Sequence, residues 1–274
     1  MVDSVNNNSN NTALYTGLGA GVGALGGAAY GKYVTKPYLK DNAPSDQFIR
    51  TAHDTLGESN AVKAGEDAKK AATEALKDKD IDALKQELKN NASTYGLAEV
   101  KDKDGKVTKS LDDVVKDYVG SESDKAKLAE KMANSANETA KKAVQDAHVS
   151  GQKLGDAIDE FGKLTKDSKE DDVIAAVKKH AETLGVKADD ESAVKAEAQK
   201  GYEAIKNSLE EKLKTTKETV EGFFSEGKLK AEADIAEDSK PAFKAVKDAI
   251  SKLTNKAALK WGGIAAAALG VVGL

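Results

Sequence analysis

The fold class is decided by residues 125–161, which read KAKLAEKMANSANETAKKAVQDAHVSGQKLGDAIDEF. Apolar or small side chains recur along this stretch at spacings of three and four, the period of an amphipathic helix. The stripe is narrow and its middle consists of alanine and glycine: Leu128, Met132, Ala136, Ala140, Ala143, Ala147, Gly151, Leu154, Ile158 and Phe161. A seam of this width is typical of long helices in a bundle or a coiled-coil-like association.

Similar stripes cover the middle region, residues 41–256, so the sequence predicts an all-α fold of long amphipathic helices. Ser110 followed by Asp113 predicts a capped helix that Gly120 ends. Ser239 and Pro241 predict the start of the last helix, which has no breaker before the C-terminal hydrophobic segment. One interruption has a different character: an Asp-Gly turn at 104–105 predicts a small β-hairpin near residues 97–109.

Composition excludes several function classes. The chain has 274 residues, 32% of them charged and 5% aromatic, with a net charge of −4 and no cysteine. Arg50 is the only arginine, and arginine is the preferred residue for bidentate phosphate and base contacts, so sequence-specific nucleic-acid binding is not expected. The lack of cysteine rules out disulfides and thiolate nucleophiles.

No catalytic pattern is present. The three histidines, His53, His148 and His180, stand apart in sequence, without the spacing of a zinc protease. Residues 21–26 match the dinucleotide pattern GxGxxG, but no β-rich stretch precedes them in the sequence and no alternating pattern of strands and helices follows, so nucleotide binding is not expected. Carboxylates occur throughout the chain, so no pair of them is distinctive. We therefore predict no enzyme activity, no cofactor, no metal and no small-molecule substrate.

The N-terminal region divides into a polar tail, residues 1–12, and a hydrophobic segment, residues 13–34. Glycine recurs there at every fourth position, which on a helix gives a bare stripe that lets another helix approach closely. Aromatic and basic residues follow the placement of interfacial anchors in a membrane. The stripe comprises Gly19, Gly23, Gly27 and Gly31, and the anchors are Tyr15, Tyr30, Lys32 and Lys36.

The C-terminal segment, residues 257–274, has the same character in reverse order. Lys260 and Trp261 would anchor it, and Gly262, Ala266 and Gly270 again fall four residues apart. From Trp261 onward a helix would extend only about 21 Å, so both a full span and a partial insertion stay open.

Two resemblances accompany these patterns. The Lys/Glu/Ala helices of the middle region are similar to late-embryogenesis-like and apolipoprotein-like helices, and the N-terminal stripe looks like a glycine zipper of small membrane proteins. Both are resemblances of composition and spacing, and neither implies a particular family.

Lysines flank both hydrophobic segments on the side of the middle region, which would place that region on the cytoplasmic side or in a particle interior. The leading hypothesis is a non-enzymatic, membrane-associated structural scaffold, anchored by both termini, in a cell or a membrane-containing virion. Its partners would be the lipid bilayer and either copies of itself or other membrane helices. Two alternatives stay open: a component of an oligomeric pore, translocation or genome-delivery conduit, and a soluble stress-type or partner-binding helical protein.

Overall fold

The structure, a computed structural model, describes residues 36–272. Side chains are described up to Ala257 and for Lys260. This part of the chain is 70% helical and 6% strand, which confirms a mostly helical protein. Within it the strands form three antiparallel pairs, of which one is the predicted hairpin. Short 3-10 turns at Ala92–Tyr95, Glu232–Asp234 and Glu237–Ser239 join some of the elements.

The helices and strands follow one another in a simple order. In chain order they are β1 (Leu39–Lys40), β2 (Ala43–Pro44), α1 (Asp46–Leu76), α2 (Ile81–Asn90), β3 (Val100–Lys101), β4 (Val107–Lys109), α3 (Leu111–Val119), α4 (Lys125–Ala147), α5 (Gly151–Phe161), α6 (Glu170–Lys179), α7 (Ala181–Leu184), α8 (Glu191–Ala198), α9 (Tyr202–Gly222), β5 (Phe224–Ser225), β6 (Lys228–Leu229) and α10 (Lys240–Val272).

The chain folds into two compact units. Unit 2 is the continuous run Gly57–His148, and unit 1 combines the chain up to Leu56 with the chain from Val149 onward. Helix α1 therefore contributes its first turns to unit 1 and the rest to unit 2. The boundaries predicted from composition, with a single middle region at 41–256, stay a prediction.

Unit 2 packs its helices around one apolar cluster. Each helix begins at a residue whose side chain accepts a hydrogen bond from the first turn: Asp80 for α2, Ser110 for α3 and Asp124 for α4. Gly120 ends α3 with a positive φ of 59°, as its sequence context predicts. The buried cluster comprises Ala72, Leu76, Leu84, Leu88, Tyr95, Val115, Val119, Leu128, Met132, Ala133 and Ala136.

The predicted hairpin is confirmed and is formed by β3 and β4 of unit 2. Val100 pairs with Lys109 and Lys101 with Val107 in antiparallel register. The Asp102 carboxylate accepts the backbone N–H groups of Asp104 and Lys106, at 3.0 and 2.9 Å, which closes the turn.

Unit 1 has two buried clusters. One joins α5, α6, α8 and α9 around Leu154, Phe161 and Val177. The other is aromatic: the ring of Phe48 meets that of Phe224 edge-on at 6.0 Å, and the rings of Phe223 and Phe243 lie 5.3 Å apart. Aliphatic side chains from α1, α9 and α10 complete it.

Two hairpins close the aromatic end of unit 1, β1–β2 and β5–β6. Their two-residue turns have positive φ at both positions, 51° and 64° at Asp41 and Asn42, and 50° and 69° at Glu226 and Gly227. Such turns match the twist of paired strands. The turns also touch, because a Cβ added at Gly227 would lie 3.0 Å from the Asn42 carbonyl oxygen.

Two apolar stripes that are continuous in sequence are broken in the structure. The first stops at His148, and a new helix, α5, begins where the Ser150 hydroxyl accepts the Lys153 N–H at 3.3 Å. A second stripe, which runs from Val194 to Phe223 in the sequence, is broken before α9 at Gly201, whose φ is 85°. The spacing predicted the buried face at both ends of the first stripe and along the second, but Ala143 and Ala147 of the first are exposed, and the breaks were not predicted.

The prediction of a membrane scaffold is wrong. Among the residues that the structure describes, no helix is both long and apolar enough to cross a membrane. Helix α10 has 33 residues, but its first half packs Phe243, Val246 and Leu253 into unit 1. The part of α10 beyond Lys260 covers only roughly 18 Å up to Val272, against about 30 Å of hydrocarbon.

The other predictions that depended on membrane insertion, on localisation and on a pore, are also wrong. The membrane localisation with a cytoplasmic or particle-interior middle region is wrong for the same reason, as is the hypothesis of a pore or conduit. Nothing in the described chain supports a glycine zipper or a place in a virion. The hydrophobic segment at 13–34 lies outside the described residues.

Candidate functional site

The residues that the sequence singled out do not form a site in the described structure. Most of the N-terminal set lies outside the described residues: Gly19, Gly23, Gly27, Gly31, Tyr15, Tyr30 and Lys32. Lys36 is exposed at the start of the described chain, and Lys260 is exposed on α10. Trp261, Gly262, Ala266 and Gly270 lie on the course of α10, and their side chains are outside the description.

A polar junction in unit 1 gathers the only arginine and one of the histidines. Arg50 lies across α5, where its Nη2 donates to both carboxylate oxygens of Asp159, at 3.1 and 2.9 Å. The helices come this close because α5 has glycine at 151 and 155. A Cβ at Gly155 would lie 2.1 Å from Arg50 Nε, and one at Gly151 would lie 2.1 Å from the Arg50 carbonyl oxygen.

The next turn of α1 holds the start of α5. The Asp54 carboxylate accepts the Gly151 N–H at 2.7 Å. His53 Nε2 donates to the Val149 carbonyl at 3.1 Å, which fixes the tautomer, and Nδ1 lies 2.9 Å from the Thr216 hydroxyl. Both ring nitrogens of His53 are therefore engaged in contacts within the fold.

The surroundings of the pair formed by His53 and Thr216 are not those of an activated nucleophile. Thr216 is 7% exposed, and its hydroxyl faces the ring that holds it. The junction locks α1, α5 and α9 of unit 1 together, and we assign it a structural role. Among the described residues no group of three or more acidic or histidine side chains is arranged to hold a metal ion.

Unit 2 holds a half-buried carboxylate network. Glu87 accepts from Lys79 Nζ at 2.7 Å, from Asn91 Nδ2 at 2.8 Å and from the Tyr95 hydroxyl at 3.3 Å. The hydrogen bond from Lys79 is the main cause that lowers the pKa of Glu87. Burial, with the Glu87 charge beside it, raises the pKa of Tyr95 to about 12. The network ties the turn after α1 to α2 and to the 3-10 turn that comes next.

Beside this network lies a groove between α1 and α4, which we take as the candidate site. Its volume is about 400 Å³, and its floor consists of Leu76 and Ala133, which are 1% and 2% exposed, with Ala129 beside them. The remaining lining residues are Lys69, Thr73, Lys77, Lys79, Lys125, Ala126 and Glu130. Small floor residues leave room for another backbone to approach closely.

The rim of the groove is cationic, with four lysines and one carboxylate. Lys77 forms an ion pair with Glu74, and Lys79 with Glu87. Within the described chain, Lys69 and Lys125 form no ion pair. Two of the four positive charges are therefore available to an incoming group.

Two other depressions in the described chain are lined mainly by charged and polar residues. The one on the outer face of α4 is lined by that helix's own side chains, including Lys127, Glu130 and Asn134. The one at the start of α10 has Pro241 and Phe243 as its apolar residues, among five charged ones. Neither has more than two apolar residues in its lining.

One buried polar atom in unit 1 lacks a hydrogen-bond partner within the described structure, Nε2 of His180 at the junction of α6 and α7. The ring lies 6.4 Å from that of Phe161. Burial and the nearby Lys179 charge lower the pKa of His180, against the opposing effect of Glu160 and Asp156. The neutral ring is thus the form that fits the fold.

The groove was not predicted from the sequence. Leu76 belongs to a recognisable apolar stripe, but Lys69 and Lys125 look like any other solvated lysine because their proximity depends on the packing of α1 beside α4. Comparison with known proteins adds no assignment: no protein-family model, characterised protein or solved structure matches this chain.

Proposed function

We propose that this chain is a non-enzymatic, partner-binding helical protein, and that the groove between α1 and α4 receives one amphipathic helix of a partner protein. The observation that carries the proposal is the apolar floor of Leu76, Ala129 and Ala133 between two exposed helices. A helix laid in such a groove buries its own apolar stripe, which is a recurring mode of peptide recognition.

The form of the groove favours a helix over a small molecule. The walls are α1 and α4, with four lysines in the lining. A lysine can lay its apolar stem along such a wall and keep its amine in water. Small-molecule sites usually hold a few convergent polar groups in an enclosed cavity. This groove instead has alanines at its base and charges on its rim, which is the anatomy of a protein interface.

Two expectations from the sequence remain proposals beside this one. The narrow, alanine-rich stripes of the long helices would also suit a coiled-coil-like association between copies of the chain. The absence of enzyme activity and of sequence-specific nucleic-acid binding likewise remains a proposal. Measurement of the native mass tests self-association directly.

The proposal is tested by selecting helical peptides from a display library against the full chain. Selected peptides are then measured against Ala126→Trp, which fills the groove from an exposed position on α4. The matched control is Ala71→Trp, an exposed alanine of α1 that does not line the groove. Circular dichroism checks that both variants keep their helices.

We expect selected peptides to lose at least about tenfold in affinity for Ala126→Trp, since a filled groove excludes the peptide's apolar face. They should bind Ala71→Trp as they bind the unmodified chain. Peptides that bind all three proteins equally, or a library that yields no helical binder, would overturn the proposal.

A further inference from the structure

The rim charges of the groove are not balanced within the fold. Four lysine amines face one carboxylate, that of Glu130. Lys79, whose side chain is 32% exposed, is held by Glu87, and Lys77 pairs with Glu74 one turn away on α1. Lys69 and Lys125, one on each wall, have no carboxylate partner among the described residues. The groove therefore presents positive charge on both sides of an apolar floor.

A docked helix changes the surroundings of these amines. Its backbone displaces water from the rim, and a lysine that loses water without gaining a partner weakens the complex. A carboxylate at the same place offsets that loss and also speeds association through long-range attraction. A neutral or basic helix with the same apolar stripe gains neither effect.

We infer that the occupant of the groove is an acidic helix, with carboxylates on both borders of its apolar stripe. Lys69 lies on α1 and Lys125 lies at the start of α4, so one lysine without an ion pair in the described chain stands on each wall of the groove. The border that faces α1 therefore carries a carboxylate opposite Lys69, and the border that faces α4 carries one opposite Lys125. This inference rests on the proposed function, because it specifies the partner of the same groove.

The test uses three synthetic helical peptides of about 20 residues that share one Ala/Leu stripe, long enough to form stable helix. They differ only at the border positions, which are Glu in the first, Gln in the second and Lys in the third. Binding to the full chain is measured by fluorescence anisotropy at low salt and at about 0.5 M salt, where exposed charge pairs are screened.

The variant is Lys69→Glu with Lys125→Glu. Its matched control is Lys101→Glu with Lys103→Glu, which makes the same change in net charge on the exposed β3–β4 hairpin. We expect the Glu peptide to bind the unmodified chain about tenfold more tightly than the Gln peptide at low salt, with the difference reduced at high salt. The rim variant should lose this preference and favour the Lys peptide, while the hairpin control keeps it.

The outcomes separate the two proposals. If Glu and Gln peptides bind equally and Ala126→Trp still abolishes binding, the groove is a docking site and the acidic partner is refuted. If no peptide binds in a way that depends on Ala126, the proposed function itself falls. If duplex DNA of arbitrary sequence displaces the Glu peptide through Lys69 and Lys125, selectivity for a protein helix is refuted.

Discussion

Replacing Gly151 by alanine tests whether the close approach of α1 and α5 holds unit 1 together. A Cβ at this position would lie 2.1 Å from the Arg50 carbonyl oxygen and 2.8 Å from its Cα. The first distance is short of ordinary contact by about 1.3 Å, and backbone cannot rotate aside as a side-chain tip can. The helices must separate instead.

The separation carries a definite energetic cost. Overpacking of this kind costs about 1–3 kcal/mol, and displacement of α5 weakens the hydrogen bond from Gly151 N–H to the Asp54 carboxylate, worth about 1.5–3 kcal/mol. The better helix propensity of alanine returns up to about 1 kcal/mol. We expect a net loss of about 2–4 kcal/mol in the free energy of unfolding, or roughly 5–15 °C in the melting temperature.

Two further variants make the prediction sharper. Gly155→Ala meets the Arg50 side chain, which can swing away at the expense of its contact with Asp159, so the loss should be smaller, about 1–2 kcal/mol. Gly222→Ala, in the last turn of α9, meets nothing within 4 Å. It should be neutral or stabilising by up to about 1 kcal/mol.

Urea unfolding followed by circular dichroism gives the order of the three variants, and hydrogen exchange shows whether the loss is confined to segments of unit 1. The expected order of stability is Gly222→Ala, then Gly155→Ala, then Gly151→Ala. If Gly151→Ala proves as stable as the unmodified chain, the helices do not cross as closely as the 2.1 Å approach requires.

Two other predictions concern His180 and a hairpin turn. Because the pKa of His180 is lowered in the folded chain, protonation favours the unfolded state, so stability is complete above about pH 6.5 and declines as the pH falls below it. Urea unfolding midpoints are measured at about pH 7.5 and about pH 5.5, on either side of the ordinary histidine pKa. The two midpoints should differ less for His180→Gln than for the unmodified chain, and an equal difference would contradict this prediction. Gly227→Ala should cost more than the roughly 1–2 kcal/mol of a positive φ, because its Cβ also meets Asn42. Gly185→Ala, with a φ of 75° and open space around it, carries only the φ cost, and equal thermal shifts of the two variants would show that the turns do not touch.

Elements with local signals were predictable from the sequence. The cap at Ser110, the stop at Gly120, the Asp-Gly hairpin and the start of α10 at Lys240 all result from one or two residues acting on their neighbours. Such signals need no knowledge of what packs against the element. The structure accordingly reproduces them within a residue or so.

Features that depend on distant partners were not predictable. Gly151 belongs to the apolar stripe of residues 125–161, and only its contact with Arg50, about a hundred residues before it in the chain, reveals it as the point where two helices touch. Gly151 and Gly155 show that glycines four residues apart bring two helices close together inside a folded unit. The same limit hid the groove, because Lys69 and Lys125 meet only through the packing of α1 beside α4.

The division of the chain has a consequence for the order of events during synthesis. Unit 2 is continuous and its first and last residues meet, since a Cβ at Gly57 would lie 2.5 Å from the His148 ring. The aromatic cluster of unit 1 contains both Phe48 and Phe243. After His148 has been added, the ribosome must add about a hundred more residues to reach Phe243, which takes roughly 5–20 s. We expect unit 2 to fold while unit 1 is still being synthesised. During that time the apolar first turns of α1 have no partners, because the residues that bury them have not yet been added.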